Sequence, residues 1–487
     1  VPTTLFEKKD RYITQNNNHD AFCVNVGTLS SSKPRKDIYS DALCVTHLQS
    51  YYIFARIFKT KVERFYIFFN WGFSLMRMKK IEGKYRFSFF SKEAPEEWKE
   101  YPDSTEWGIG WLPLGGYCSI AGMIDETQSA EDMASEPQPW EFRSKPAWQR
   151  FFIIIGGVFM NFLSAIIIYA AMLGTWGKEY IPINDCKYGL HFSETGRNLG
   201  FQSGDKIVMV DGDSAVDMSS FLRKVYFKGP FDVVVKRGEQ FVTIQIPEKF
   251  AKRNFKQISE MPFCSYNFPF VVDSILQDFP AAEAGLMEGD SIVMINSECN
   301  SYFPSIQEYM YYNGGKEVAL SFYREDSLIT QDVKINNEGK IGVLPVYYTQ
   351  YLDTKKEKFG FFSSISNGFK MAIDQLKFYV EQFSVVFTKE GAKQLGGFGT
   401  MGKLFPNTWD WYQFWNTTAL FAIILAFMNI VPIPGLDGGY LMFILYEMIT
   451  RKKPGDKFIT YANAVGMILI LALVLYANGM DVIRAFR

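Results

Sequence analysis

A long apolar run without a single charge, Phe151–Thr175, constrains this chain more than any other part of it. About 20 consecutive apolar residues suffice to cross the hydrocarbon core of a bilayer as a helix. The alternative is a buried helix of a water-soluble protein, but such helices are rarely this long. Two further apolar runs, Trp411–Val431 and Phe458–Met480, lie nearer the carboxyl end. The sequence therefore predicts an α-helical membrane protein with several spans.

Basic residues flank these runs on one side. Three precede the first run between positions 143 and 150, and four lie between the other two runs, from 451 to 457. Because Lys and Arg concentrate on the cytoplasmic side of spanning helices, both groups are expected in the cytoplasm. The long segment 176–410 is then predicted to lie outside it.

Composition excludes several classes of protein. Hydrophobic residues make up 48% of the chain, which argues against intrinsic disorder. Lys and Arg number 51 against 52 Asp and Glu, so no positive excess indicates a nucleic-acid partner. Residues 1–42 are polar and irregular, with no apolar core of a signal peptide. We expect this segment to be either an atypical N-terminus or an artefact of the gene sequence.

An internal repeat lies in the outer segment. The passage GFQSGDKIVMVDG, Gly200–Gly212, is matched farther along the chain by GLMEGDSIVMINS, Gly285–Ser297. A repeat at the spacing of a small domain indicates a duplicated domain. In each copy the glycine suits a backbone with positive φ, and the aspartate can accept hydrogen bonds from the backbone of the turn. These pairs are Gly204-Asp205 and Gly289-Asp290.

Both passages resemble PDZ domains of the circularly permuted bacterial type. We therefore expect two β-rich PDZ-like domains in the extracytoplasmic loop, at 176–260 and 261–350. PDZ domains bind extended peptides by adding a strand to a sheet edge, so peptide termini are expected partners. The alternative is a pair of β-rich domains that serve as spacers or size filters.

The passage NIVPIPGLDGG, Asn429–Gly439, directly follows an apolar run. Pro432 and Pro434 should end the helix, because proline lacks a donor and clashes with the preceding turn. Asp437 is then a carboxylate at membrane depth, where a charge is costly and usually has a function. The alternative is an interfacial aspartate that caps the next helix.

This passage resembles the metal-binding motif of the site-2 protease family. The passages Gly108–Glu126 and Pro139–Ala165 also resemble that family, and the likeness extends over about residues 52–487. Together with the PDZ-like pair they indicate the type that regulates sigma-E signalling. The resemblance implies an intramembrane zinc metalloprotease of the bacterial inner membrane. Its expected substrates are single-span membrane proteins such as anti-sigma factors.

The resemblance also implies how the rest of the chain is divided. The expected parts are a remnant of the first membrane helix and metal motif at 43–69, a cytoplasmic membrane-associated β-hairpin region at 70–150, a membrane helix at 151–175, an amphipathic helix and Gly-rich linker at 351–410, a membrane helix with the LDGG motif at 411–450 and a last membrane helix at 458–480.

The family's HExxH motif reads HLQSY in this chain, from His47 to Tyr51. In that motif two histidines bind zinc and the glutamate acts as general base. By resemblance, His47 and Asp437 are zinc ligands, Tyr51 occupies the position of the second histidine, and Leu48 that of the base. The resemblance implies Zn²⁺, but no catalytic base is identifiable.

Three interpretations of this departure remain open. In the first, the N-terminal residues result from a sequence error and the protein is a normal enzyme. In the second, the protein is a pseudoprotease that binds membrane clients without cutting them. In the third, Cys44, His47 and Asp437 form a rebuilt metal site. Four further residues are predicted to bind substrate: Asn161, Asn429, Pro432 and Gly435. Membrane lipids are also expected partners of the protein. For Asn161 a hydrogen bond between helices is the alternative.

Overall fold

The structure is a computed structural model. It describes residues 49–112, 116–123, 136–215, 217–296, 298–299, 301–386, 388, 391–392, 395–402 and 409–485. The chain forms two compact units. We call Gly177–Glu357 the outer unit after the predicted position of this segment, and the helical unit combines the described residues on either side of it.

The helical unit begins with helix α1, residues 49–57, followed by a five-stranded sheet. Its strands are β1 (Val62–Tyr66), β2 (Phe69–Ile81), β3 (Lys84–Ser91), β4 (Glu106–Leu112) and β5 (Tyr117–Ile120), in the order β3-β2-β4-β1-β5. The prediction that 43–69 is a remnant of the first membrane helix therefore needs correction. The second half of this range forms β1 and the start of β2 instead of helix. In β1, Val62, Phe65 and Tyr66 are buried and the two charged residues between them are exposed.

The two faces of this sheet differ in polarity. On one face Arg77 donates to Glu106 at 2.8 Å, and the Tyr66 hydroxyl donates to the same carboxylate at 2.5 Å. These groups are buried, and each charge has a partner, as buried charges require. On the other face, aromatic side chains of β3 are exposed, including Phe87 and Phe89, whose rings stack at 6.3 Å.

The helices of this unit are α2 (Ala147–Thr175), α9 (Phe361–Val386), α10 (Phe398–Gly402), α11 (Trp411–Met428), α12 (Asp437–Thr450) and α13 (Asp456–Ala485). Helix α9 packs along α2 and α11. A Cβ on Gly368 of α9 would lie 2.6 Å from the backbone nitrogen of Ala170 on α2. The two backbones thus approach too closely for any larger residue at position 368.

Two described helices are long and apolar enough to cross a membrane, Ala147–Thr175 and Lys457–Ala485. The part predicted as one membrane helix at 411–450 is instead two helices with a loop between them. Helix α11 ends at Met428 and α12 begins at Asp437. The physical reason is the intervening Pro432, Pro434 and Gly435, which break the helical hydrogen bonding.

Helix α13 is attached to its unit at two places. A Cβ on Gly466 would lie 1.6 Å from the Pro434 carbonyl oxygen, so α13 contacts the backbone of the loop directly. Farther along, the Asp481 carboxylate accepts hydrogen bonds from the backbone amides of Gly397 and Thr400, at 3.0 and 2.8 Å. This second contact fixes the Gly-rich segment beside α10.

The outer unit contains two lobes with the same order of elements, except that lobe 1 has two additional helices before its last strand. Lobe 1 comprises β7 (Leu190–Phe192), α3 (Glu194–Arg197), β8 (Lys206–Val210), β9 (Asp213–Ser214), α4 (Met218–Phe227), β10 (Phe231–Arg237), β11 (Gln240–Ile246), α5 (Phe250–Arg253), α6 (Phe255–Glu260) and β12 (Cys264–Tyr266). Lobe 2 comprises β13 (Phe270–Ile275), α7 (Pro280–Glu283), β14 (Ser291–Ile295), β15 (Glu298–Cys299), α8 (Phe303–Tyr312), β16 (Glu317–Arg324), β17 (Ser327–Lys334) and β18 (Val343–Pro345). Each lobe has its own hydrophobic core.

The repeated Gly-Asp turns have the predicted geometry. Gly204 and Gly289 have φ of 95° and 93°. The Asp205 carboxylate accepts the backbone N–H of residue 202 at 2.9 Å, and Asp290 accepts that of residue 287 at 2.8 Å. Each carboxylate is also bound bidentately by an arginine of a distant strand, Asp205 by Arg237 and Asp290 by Arg324.

The predicted boundary between residues 260 and 261 lies too early. Strand β12, Cys264–Tyr266, pairs antiparallel with β7 and so completes lobe 1. Its counterpart β18 pairs in the same way with β13 of lobe 2. The ends of the outer unit also pair, because β6 (Lys178–Tyr180) is antiparallel to β19 (Lys355–Glu357).

Candidate active site

Asp437 is the first residue of α12, directly after the loop that follows α11. The loop turns back on the helix so closely that only glycine fits at two positions. A Cβ on Gly438 would lie 2.1 Å from the Val431 carbonyl oxygen, and one on Gly439 would lie 2.6 Å from the Pro434 Cα. These contacts fix the start of α12, and with it the Asp437 carboxylate.

Tyr51 faces Asp437 from another helix. It lies on α1 with 7% of its surface exposed, close enough to the Asp437 carboxylate to interact with it electrostatically. Helix α1 is held against α2, where the Phe54 ring covers Gly156 so closely that a Cβ there would lie 2.3 Å from a ring carbon. The structure thus brings together two positions from opposite ends of the described chain.

A core cluster packs around Tyr51. It contains Tyr51 together with residues of α2 and α12, including Ile153, Ile154 and Ile444. Cys118 of β5 packs against the same cluster and interacts electrostatically with Tyr51. Sequence reasoning did not single out Cys118, since it stands alone in its strand and matches no metal-ligand spacing.

The described residues do not complete a zinc shell. Zinc in proteins is bound by cysteine, histidine and carboxylate side chains, usually four ligands or three and a water. No group of three such residues occurs among the residues that the structure describes. Asp437 is one of the ligands that the resemblance implies, and a tyrosine stands where a second histidine is expected. His47 and Leu48 lie outside the described residues.

A buried ion pair ties the far end of α12 to α2. Arg150 Nη2 lies 2.5 Å from Glu447 Oε1, and these side chains are 10% and 14% exposed. Arg150 also donates to the Lys145 carbonyl at 2.9 Å. Helix α12 is therefore fixed at its start by the glycine contacts and near its end by this pair. The sequence indicated neither partner, since they are 297 residues apart.

The other predicted residues lie in different places. Asn161 is buried on α2, with 1% of its surface exposed. Asn429 forms the C-cap of α11, where its backbone N–H bonds to the Leu425 and Phe427 carbonyls. Pro432 and Gly435 belong to the loop before Asp437, and Gly435 has a φ of 91°. The three loop residues thus lie next to Asp437 in the chain, whereas Asn161 comes from a separate helix.

Comparisons with known proteins agree on one family. The profile of peptidase family M50 matches residues 94–473. The regulator of sigma E protease of Haemophilus influenzae is 23% identical over 412 residues, which cover 78% of this chain and 87% of the relative. A relative in Ralstonia nicotianae, whose name describes a zinc metalloprotease, is 23% identical over 482 residues, covering 91% and 96%. The regulator of sigma E protease of Salmonella typhi is 24% identical over 416 residues, covering 76% and 85%.

Proposed function

Because the chain belongs to peptidase family M50, the membrane-embedded zinc metalloproteases that include site-2 protease, we propose that it cleaves single-span membrane proteins within the bilayer. Anti-sigma factors are the proposed clients, since relatives that match most of the chain are named regulators of sigma E protease. The proposed location is the bacterial inner membrane, with the outer unit outside the cytoplasm and several spans in the bilayer.

One observation carries this proposal. Tyr51 and Asp437 are in contact, and they occupy two of the positions where the family has metal ligands. The contact joins α1 to α12, as a shared metal ion would. Tight glycine packing and the Arg150–Glu447 pair hold α12 in place. These contacts support a site at this place, although the ligand set is incomplete in the described residues.

A second candidate function is binding of the same clients without cleavage. Leu48 replaces the general base and Tyr51 the second histidine, so the chain as printed lacks two groups that hydrolysis requires. The burial of Tyr51 beside Asp437 favours this candidate, because a buried phenol fills the place of the expected histidine ligand.

The remaining parts have proposed roles in either case. Asn161, Asn429, Pro432 and Gly435 are proposed to contact the client in the membrane. The two lobes of the outer unit are proposed to be PDZ-like domains that bind peptide termini or exclude clients with a bulky outer domain. The matched Gly-Asp turns of the lobes support this proposal, since they are the part of the sequence that resembles PDZ domains.

The full-length protein in lipid vesicles, with a single-span client trimmed on its outer side, separates the two candidates. Client cleavage and client co-purification would be compared for the native chain, Asp437→Asn and the double variant Leu48→Glu, Tyr51→His. The double variant restores the His-Glu-x-x-His pattern. Asp332→Asn, an exposed position on β17, is the matched control.

Each outcome has a distinct meaning. Cleavage by the native chain that Asp437→Asn abolishes would establish the protease. Client binding without cleavage, with cleavage and bound zinc gained in the double variant, would establish a pseudoprotease on an intact scaffold. Neither binding nor cleavage by any of these chains would overturn both candidates.

A further inference from the structure

The two lobes of the outer unit meet at a buried polar cluster. Glu308 of α8, in lobe 2, is 5% exposed, and His191 of β7, in lobe 1, is 6% exposed. Glu308 Oε2 lies 2.9 Å from His191 Nε2, and Ser305 Oγ lies 3.1 Å from His191 Nδ1. Arg197 donates to both Glu308 oxygens, at 2.7 and 3.1 Å, and the Glu194 backbone amide donates to Oε1 at 3.1 Å.

These donors to Glu308 all come from lobe 1. A single carboxylate of lobe 2 is therefore held by a strand and a helix of the other lobe. A buried carboxylate is costly unless several donors bind it, and this one has several. Withdrawal of Glu308 would remove the acceptor of the buried His191 ring and leave the carboxylate without its donors from lobe 1, so separation of the lobes is unfavourable.

Glu308 is not part of the duplicated fold. When the lobes are aligned on their Gly-Asp turns, the corresponding position in α4 of lobe 1 is Arg223, which has the opposite charge. The Asp-Arg pairs within each lobe are repeated, whereas this carboxylate occurs only where lobe 2 meets lobe 1. Its place in the structure is thus explained by the contact between lobes and not by the folding of a single lobe.

The chemistry of the cluster tolerates both protonation states of His191. A neutral ring donates a hydrogen bond from Nε2 to Glu308 and accepts one at Nδ1 from the Ser305 hydroxyl. A protonated ring donates at both nitrogens, and the Ser305 oxygen can then accept, because a hydroxyl is both donor and acceptor. The other groups nearby are Arg197, Glu194, Tyr312 and, on α6, Glu260.

We propose that Glu308 locks the two lobes into one rigid module of fixed orientation, held by His191, Arg197 and Ser305. The module presents its two lobes at a constant angle, instead of as two domains that move independently on a linker. The proposal does not depend on the proposed function, since it concerns only contacts within the outer unit.

Amide hydrogen exchange of the full-length protein in detergent, measured by mass spectrometry, tests the lock across the lobes. Arg197→Gln changes lobe 1 and is read in lobe 2, where exchange in α8 should rise by about tenfold or more. Glu308→Gln changes lobe 2 and is read in lobe 1, where residues 190–197 should exchange faster by a similar factor. Glu317→Gln, an exposed glutamate of β16, should change neither segment.

The core strands distinguish docking from folding. If the lobes are locked, exchange in β10–β11 and β16–β17 stays as in the native chain while the interface segments accelerate. Unchanged exchange at 190–197 in Glu308→Gln would overturn the proposal. A rise that spreads through β16–β17 in that variant, without any rise in α8 for Arg197→Gln, would also overturn it, since Glu308 would then stabilise lobe 2 alone.

Discussion

Replacing the carboxylate of one Gly-Asp turn should open its own lobe and leave the other lobe unchanged. In Asp290→Asn the side chain keeps its shape and loses its charge. Asp290 is 1% exposed and accepts the backbone N–H of residue 287 at 2.8 Å, together with two bonds from Arg324 at 2.8 and 2.9 Å. The equivalent change in lobe 1 is Asp205→Asn, with nearly identical contacts to residue 202 and Arg237.

The size of the effect follows from these contacts. Removing one partner of a buried ion pair costs about 3–5 kcal/mol. The arginine left behind is 30% or 28% exposed and stays solvated, so the cost falls to that of lost charge-assisted hydrogen bonds, roughly 3 kcal/mol. Since each step of about 1.4 kcal/mol is a factor of ten, the opening equilibrium of the altered lobe should increase by about 100-fold.

Amide exchange of the full-length protein measures both lobes at once. Asp290→Asn should accelerate exchange in β14 and β16 by about this factor while β8 and β10 stay protected, and Asp205→Asn should do the reverse. Asp332→Asn, on the exposed side of β17, is the control. An acceleration below about threefold in the altered lobe would refute the role of the carboxylate. Equal acceleration in both lobes would refute their independent cores.

Three further results are expected. Burial opposes ionisation of Glu308, but hydrogen bonds from His191 and Arg197 lower the pKa of its carboxyl to about 2. The stabilisation that Glu308 provides should therefore be complete above about pH 4.5 and disappear toward pH 2. Exchange at 190–197, corrected for intrinsic rates, would show this loss. Gly466→Ala should lower the thermal unfolding temperature in detergent, because its Cβ would meet a carbonyl oxygen at 1.6 Å, whereas Gly479→Ala on the same helix has open space and should not. Glu447→Gln should cost about 3 kcal/mol, seen as a lower unfolding temperature, because it leaves a buried arginine without its charge partner.

Features that depend on neighbouring residues could be predicted from the sequence. The positive φ of Gly204 and Gly289 and the backbone bonds of their aspartates follow from local turn chemistry. The end of α11 before Pro432 follows from the missing proline donor. In these cases the physical cause lies within one turn of the chain.

Features that depend on the packing of distant segments could not be predicted. The arginines that bind Asp205 and Asp290 come from strands far along the chain, and no local signal marks them. The Glu308 cluster joins residues of two lobes. The contact between Tyr51 and Asp437 was anticipated only through family resemblance, since hydrophobic periodicity carries no information on which helices meet.

The two attachments of α13 have a mechanical consequence. Gly466 and Asp481 are separated by about 22 Å of helix, at roughly 1.5 Å for each residue. A helix held only at Gly466 would pivot there, and a tilt of about 10° would carry its far end about 4 Å sideways. The hydrogen bonds from Gly397 and Thr400 to Asp481 restrain that movement. Helix α13 is therefore restrained at two points, and its exposed apolar side chains between them keep a constant direction relative to the Asp437 loop.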